Sequence, residues 1–196
     1  MTVALAVLAL LALIAAGIHV GIALGIIAAG EDEAGQWIVA PFRPSTTLAN
    51  IEETGFAVAN YTDDVLIFAG CLTGRKDWPL VPLDNCPVPR LAAALAHDVL
   101  RVEHVEEDAV RPRYHCRVVA SAAHAPFTGM NRARAAVLEL AILASRLSML
   151  PRRKVEDEIA YLQIAVDKTA GPRERQAWDW LMDKVAAFYR DERAGT

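Results

Sequence analysis

The first thirty residues carry no charged side chain, and apart from Met1, Thr2 and His19 they are only Ala, Val, Leu, Ile and Gly. A run of that length exceeds the roughly 20 apolar residues that cross a bilayer as a helix. Gly17, Gly21 and Gly25 recur every four residues, the small-xxx-small pattern of packed membrane helices. Against an anchor, no Lys or Arg precedes the run, and the flank that follows is Glu31-Asp32-Glu33, so neither a signal-peptide n-region nor a positive-inside cue is present. The stretch from Ile18 to Ile27 is rich in β-branched residues and punctuated by Gly, which suits a strand buried on both faces.

The rest of the chain decides between these readings. The patterning predicts strands over 37–42, 56–60, 65–69, 99–105 and 114–121, with a short helix over 45–54 started by Ser45 or Thr46 and stopped by Gly55. The segment 70–89 holds four Pro and two Gly without periodicity and reads as a loop; 89–97 reads as a short helix. About five strands between 37 and 121 are too few to close a filled barrel comfortably, and only residues 1–30 can supply more. The expectation is therefore two strands near the N-terminus, with a membrane helix over residues 1–29 as the alternative.

From Asn131 the period becomes helical. Three amphipathic helices are expected over 131–150, 152–169 and 172–193, broken at Pro151 and Gly171-Pro172. Val155, Ile159, Leu162, Ala165 and Val166 share one face of the second, and Trp178, Leu181, Met182, Val185 and Phe188 share one face of the third. The expected class is α+β, with a β-barrel domain over 1–128 and a helical subdomain over 129–196.

Charge excludes one class of function. Residues 31–128 hold 8 Lys/Arg against 14 Asp/Glu, and the chain has a formal net charge of −4, so a nucleic-acid partner is not expected. Cys71, Cys86 and Cys116 are odd in number and far apart, which reads as reduced thiols in a cytoplasmic protein. No His/Cys/Asp cluster has metal-ligand spacing, and no nucleophile–base pair is evident.

The chemically informative stretch is Pro41-Phe42-Arg43-Pro44-Ser45-Thr46-Thr47, a strand running into a helix start through an Arg and three consecutive hydroxyls. Backbone N–H groups at a helix start favour an anion, and an Arg adds a charge-assisted donor. The same residues also fit an ordinary N-cap with a solvated Arg.

Thr47-Leu-Ala-Asn50-Ile-Glu-Glu-Thr54-Gly55-Phe-Ala-Val-Ala-Asn60 closely resembles the "T..NI..TGEFVVN" stretch of the flavin reductase-like split barrels. More narrowly, four separated pieces resemble, in order, a small family of FMN-binding split-barrel proteins of largely unknown function from microbes that use tetrahydromethanopterin. They are Arg43-Pro-Ser-Thr-Thr-Leu, Asn60-Tyr-Thr-Asp-Asp-Val, Phe68-Ala-Gly-Cys-Leu-Thr-Gly-Arg-Lys-Asp-Trp-Pro, and Pro126-Phe-Thr-Gly-Met-Asn-Arg-Ala. The resemblance spans about 37–190. It departs at the N-terminus, where Ile18-His19-Val20 is followed by Gly21-Ile22-Ala23-Leu24-Gly25, without the family's Pro-Met-Gly and polar positions.

The resemblance implies a split β-barrel followed by about three helices, and a homodimer with FMN near the subunit interface. It places the FMN phosphate on Arg43, Ser45, Thr46 and Thr47, has Asn50 steadying the turn, and turns Asn60 and Thr62 toward the ribityl chain or ring edge. Asp63 and Asp64 are read as turn formers and partner charges. His124 stands as a residue that could line the flavin face, with a structural role the plainer reading. The implied function is flavin-dependent oxidoreduction with a small-molecule or nicotinamide reductant, linked to tetrahydromethanopterin-dependent one-carbon metabolism. The alternatives are a non-catalytic flavin carrier or sensor, and a membrane-anchored binding module.

Overall fold

The structure is a computed structural model that describes residues 13–16, 19–22 and 36–194, with side chains described from 37 to 192. The readings that fall on residues 1–12, 17–18 and 23–35 lie outside the described residues. The chain divides into two compact units, one of residues 1–62 and 77–127, the other of 63–76 and 128–196.

In the first unit, β1 (Leu13–Ala16) and β2 (His19–Ile22) form an antiparallel hairpin within the apolar N-terminal run. Among the described residues no helix is long and apolar enough to cross a membrane. The main sheet has the order β3-β8-β7-β4, from β3 (Gln36–Val39), β4 (Phe56–Tyr61), β7 (Ala96–Glu106) and β8 (Arg113–Ala123). All of its neighbours are antiparallel. The β7–β8 ladder shifts register between Val99 and Leu100 and again between Val102 and His104, and such bulges bend the strand and raise its twist. The fold is α+β, a curled antiparallel split barrel with helices following it.

Helix α1 (Thr46–Thr54) lies on one face of this sheet. Ser45 caps its start, the hydroxyl accepting from Leu48 N at 3.2 Å, and Gly55 ends it at φ 70°, a left-handed position that favours glycine. Leu48 and Ile51, one turn apart, pack with Val39, Ala57, Ala59, Leu100, Tyr114 and Cys116. Because side chains alternate across a strand, Val58 points the other way, into a second cluster with Val88, Phe56, Leu83 and Cys86.

Two sequence expectations in this unit are corrected. The 70–89 loop contains strand β5 (Leu80–Leu83) and the start of β6 (Cys86–Leu91), a hairpin turning at Asp84-Asn85, with Asn85 at φ 58°. Asn tolerates that conformation in a two-residue turn. The helix expected over 89–97 is instead the end of β6, a turn and the start of β7. A two-stranded ribbon tolerates Pro87 and Pro89 because not every N–H must join a ladder, and this pairing overrides the helix propensity of the Ala-rich stretch.

The second unit is helical: α2 (Val65–Leu72), α3 (Arg132–Ala144), a 3-10 turn at Leu147–Met149, α4 (Arg152–Thr169) and α5 (Pro172–Ala194). The strand expected over 65–69 is therefore a helix. Val65 to Gly70 are all buried, and an element apolar on every side carries no period to separate strand from helix. Asp64 settles it by capping, its carboxylate accepting from Leu66 N at 3.2 Å. Asp63 and Asp64 act as the partner charges the sequence suggested. Asp64 ion-pairs with Arg173, and Asp63 pairs with Arg134, which also holds Glu174 at 3.0 Å.

Candidate functional site

The stretch that resembles a phosphate cradle does open a helix. Thr46 is exposed, Ser45 half-buried and Thr47 only 6% exposed. As the first residues of α1, Thr46 and Thr47 present N–H groups for which the helix has no acceptor. Ser45 Oγ accepts from Leu48 N and keeps its own proton to donate. Among the described residues the Thr47 hydroxyl meets no hydrogen-bonding partner. This set of neutral donors at the positive end of a nine-residue helix fits an oxyanion such as a terminal phosphate.

Arg43 is engaged elsewhere. Its Nη2 bonds Glu107 Oε2 at 2.9 Å, its Nε donates to the Asp108 carbonyl at 3.3 Å, and its Nη1 lies 3.5 Å from Glu52 Oε1. Glu52 also accepts from the Tyr114 hydroxyl at 3.2 Å. Burial and the neighbouring Glu52 push that phenol up to about 12. Arg43 N donates to the Val110 carbonyl at 2.9 Å, so the whole residue is stitched to the β7–β8 turn. That turn is built by Asp108, whose Oδ1 accepts from Val110 N and Arg111 N at 2.8 and 2.6 Å. These two bonds hold its carboxyl below the usual range. Asn50 sits one turn into α1, where its carbonyl accepts from the Thr54 hydroxyl at 2.8 Å.

Asn60 and Thr62 stand apart from this group. Asn60 is fully buried on the Val58 face of β4, opposite the face that packs against α1. Its Oδ1 accepts from Leu91 N at 2.9 Å and its Nδ2 donates to the Val58 carbonyl at 3.2 Å, so it ties β4 to β6. Thr62 donates to the Ala93 carbonyl at 3.2 Å. Tyr61, which ends β4, pairs with Ala96 at the start of β7, whereas Arg43 contacts the turn just past Glu106. Arg43 and Tyr61 thus meet opposite ends of the 11-residue β7, while Leu48 and Ile51 of α1 pack with Ala59 next to Asn60.

Around Asn60 the structure gathers residues that sequence reasoning had missed or left single. His97 pairs across the sheet with Asn60 and is 5% exposed. Its Nδ1 lies 2.8 Å from Nε2 of the exposed His124. On the other face Asp98 accepts from the Tyr61 and Ser121 hydroxyls, both at 2.5 Å. The available signal was a titratable side chain at an inward position of an alternating strand. All three cysteines are free thiols, and burial pushes Cys116 up to about 12. Among the described residues no group of three His, Cys, Asp or Glu side chains could hold a metal.

Comparison with known proteins places this chain. The N-terminal domain of the protein of unknown function DUF447 matches residues 21–125, and the companion DUF447 domain matches residues 131–183. The chain belongs to the DUF447 family. This DUF447 chain shares its fold with the FMN-bound DUF447 protein MM1853 from Methanosarcina mazei, at 19% identity and a TM-score of 0.71, over 88% of this chain and 93% of that one. Partial overlaps occur with flavoredoxin from Methanosarcina acetivorans (13% identity, TM-score 0.47, 57% of this chain and 67% of that one) and with the 2-nitrobenzoate 2-nitroreductase NbaA from Pseudomonas fluorescens (18%, 0.46, 58% and 64%). None of the curated proteins matches the chain.

Proposed function

We propose that this DUF447 protein binds FMN, with the phosphate held by Ser45, Thr46 and Thr47 at the start of α1. The carrying observation is the first turn of that helix, whose N–H groups have no acceptor within the helix, beside a nearly buried threonine whose hydroxyl meets no partner among the described residues. The fold shared with an FMN-bound member of the same family supports it. Asn50 serves the site by closing the second turn of α1. Arg43 acts at one remove: paired with Glu107 and Glu52, it fixes the chain entering the helix. Asn60 and Thr62 shape the β4 end through backbone bonds. When bound, the flavin supplies hydride and electron transfer, and the protein positions it.

The reading extends to a cytoplasmic homodimer with FMN near the subunit interface, reduced by a nicotinamide or another small molecule and serving tetrahydromethanopterin-dependent one-carbon metabolism. The purified protein is expected to be yellow and to release FMN on denaturation. Thr47→Val keeps the shape of the side chain and removes the hydroxyl. Losing a hydrogen bond to a charged group costs about 1.5–3 kcal/mol, so FMN should bind roughly 10- to 150-fold more weakly. Arg43→Ala should have the smaller effect, because its guanidinium is already paired. FMN retained by Thr47→Val and lost by Arg43→Ala overturns the assignment. Steady reduction of the flavin by NADH or NADPH with an added acceptor distinguishes an oxidoreductase from a flavin carrier.

A further inference from the structure

We propose that the β7–β8 turn is a positioning element of the phosphate site at the start of α1. Asp108 builds the turn, Glu107 and Arg111 grip the chain that enters the helix, and together they fix where its first turn stands. The inference rests on the flavin reading and adds to that site three residues from a remote part of the chain.

The contacts run in both directions. Arg43 reaches out to the turn: Nη2 bonds Glu107 Oε2 at 2.9 Å, Nε donates to the Asp108 carbonyl at 3.3 Å, and the backbone N donates to the Val110 carbonyl at 2.9 Å. Arg111 reaches back: its Nε donates to the Ala40 carbonyl at 2.8 Å, and its guanidinium lies over the Phe42 ring, 4.8 Å from the centroid. The two arginines thus clasp residues 40–43 against residues 107–111. Asp108 Oδ1, accepting from Val110 N and Arg111 N, bends the turn into the shape that both reaches require. Only Pro44 separates the clasped Arg43 from the cap residue Ser45. The same guanidinium lies 3.5 Å from Glu52 in the second turn of α1, and Glu52 accepts from Tyr114 of β8. The helix is therefore tied to this hairpin at its entry and again one turn on.

Ser45 and Gly55 decide that a helix forms, which is a local matter. The clasp decides where its first turn stands on the sheet. A ligand held by its phosphate feels that placement, because the donors of Ser45, Thr46 and Thr47 move together with the backbone. A shift of roughly 0.5 Å or more misaligns all of them at once. The charges of the turn separate positioning from attraction. Glu107 and Asp108 carry negative charge and repel a phosphate through space. A turn that acted only through its field would bind FMN more tightly once these carboxylates were removed. A turn that acts as a clasp binds FMN more weakly without them. Residues 106–110 are exposed, so substitutions there leave the core intact.

FMN and riboflavin, which differ only in the phosphate, are titrated into the flavin-free full chain, and the ratio of their dissociation constants isolates the phosphate grip. The unsubstituted chain should bind FMN at least about tenfold more tightly than riboflavin. Glu107→Ala and Asp108→Ala should each lower that ratio roughly 2- to 10-fold, the scale of partly exposed charged contacts, and leave riboflavin affinity unchanged. Asp108→Asn, whose carbonyl oxygen still accepts from both turn N–H groups, should retain most of the ratio. Arg111→Lys keeps the charge but not the geometry and should lose part of it. A ratio that rises or stays level in both Ala variants overturns the proposal, and so does riboflavin affinity that falls in step with that of FMN. Thr47→Val, measured alongside, keeps the two readings apart. A ratio lowered by Thr47→Val but not by Asp108→Ala removes the clasp and leaves the α1 assignment standing. Equal binding of both flavins by the unsubstituted chain refutes the α1 assignment, and the clasp with it.

Discussion

Replacing Asn60 by Ala tests whether this residue holds the barrel together or touches a ligand. In the structure its side chain is fully buried, accepts from Leu91 N at 2.9 Å and donates to the Val58 carbonyl at 3.2 Å. Truncation strands the Leu91 N–H away from water, a loss of about 1–3 kcal/mol for an unsatisfied buried donor. The Val58 carbonyl loses one of its possible donors, and the vacated amide leaves a small void. Together these predict about 2–4 kcal/mol, a large share of the roughly 5–15 kcal/mol that stabilises a typical fold. With a urea slope of about 2 kcal/mol/M for a chain of this size, the midpoint of the flavin-free protein should fall by roughly 1–2 M. The assay is urea unfolding by circular dichroism, run without FMN so that ligand linkage does not enter. An unchanged midpoint together with lost FMN affinity refutes the structural role.

Other expectations follow from the same contacts. His97 and His124 have folded pKa values below the unfolded value, so below about pH 6.5 the unfolded chain binds more protons. Their contribution is complete above that pH and is lost as pH falls toward the folded values; urea midpoints from pH 7.5 to 5 should decline, and less so in the His97→Gln/His124→Gln double variant. In the helical unit, Glu174 is 8% exposed and accepts from Arg134 Nε and Gly171 N, both at 3.0 Å. Glu174→Ala should destabilise that unit by about 2–4 kcal/mol, because it removes one partner of a largely buried pair. Hydrogen exchange in α3 and α5 reads this, and unchanged protection there contradicts it.

Local chemistry was enough for several elements, and these were legible in the chain itself. Ser45 before an apolar i, i+3 pattern and Gly55 after it define α1, because capping is settled within a few residues. The change to a helical period at Asn131, and the breaks at Pro151 and Gly171-Pro172, define the helical tail for the same reason. The long β7–β8 hairpin shows as alternation, since each strand has one face toward the core. Elsewhere the same information was lacking. Val65 to Gly70 are buried on every side, so their sequence has no period, and the Asp64 cap together with packing in the helical unit makes them a helix. Pro87 and Pro89 look like loop residues until β5 lies alongside.

The candidate site divides along the same line. The anion-friendly turn at Ser45-Thr46-Thr47 is written in consecutive residues, because a helix start is a local object. That Arg43 faces Glu107 depends on residues 64 positions apart in sequence. The pairing of His97 with His124, 27 positions apart, and the binding of Asn60 to Leu91 depend equally on strand register. Register is fixed by which faces are buried and where bulges fall, a property of the assembled sheet that no single stretch of sequence contains.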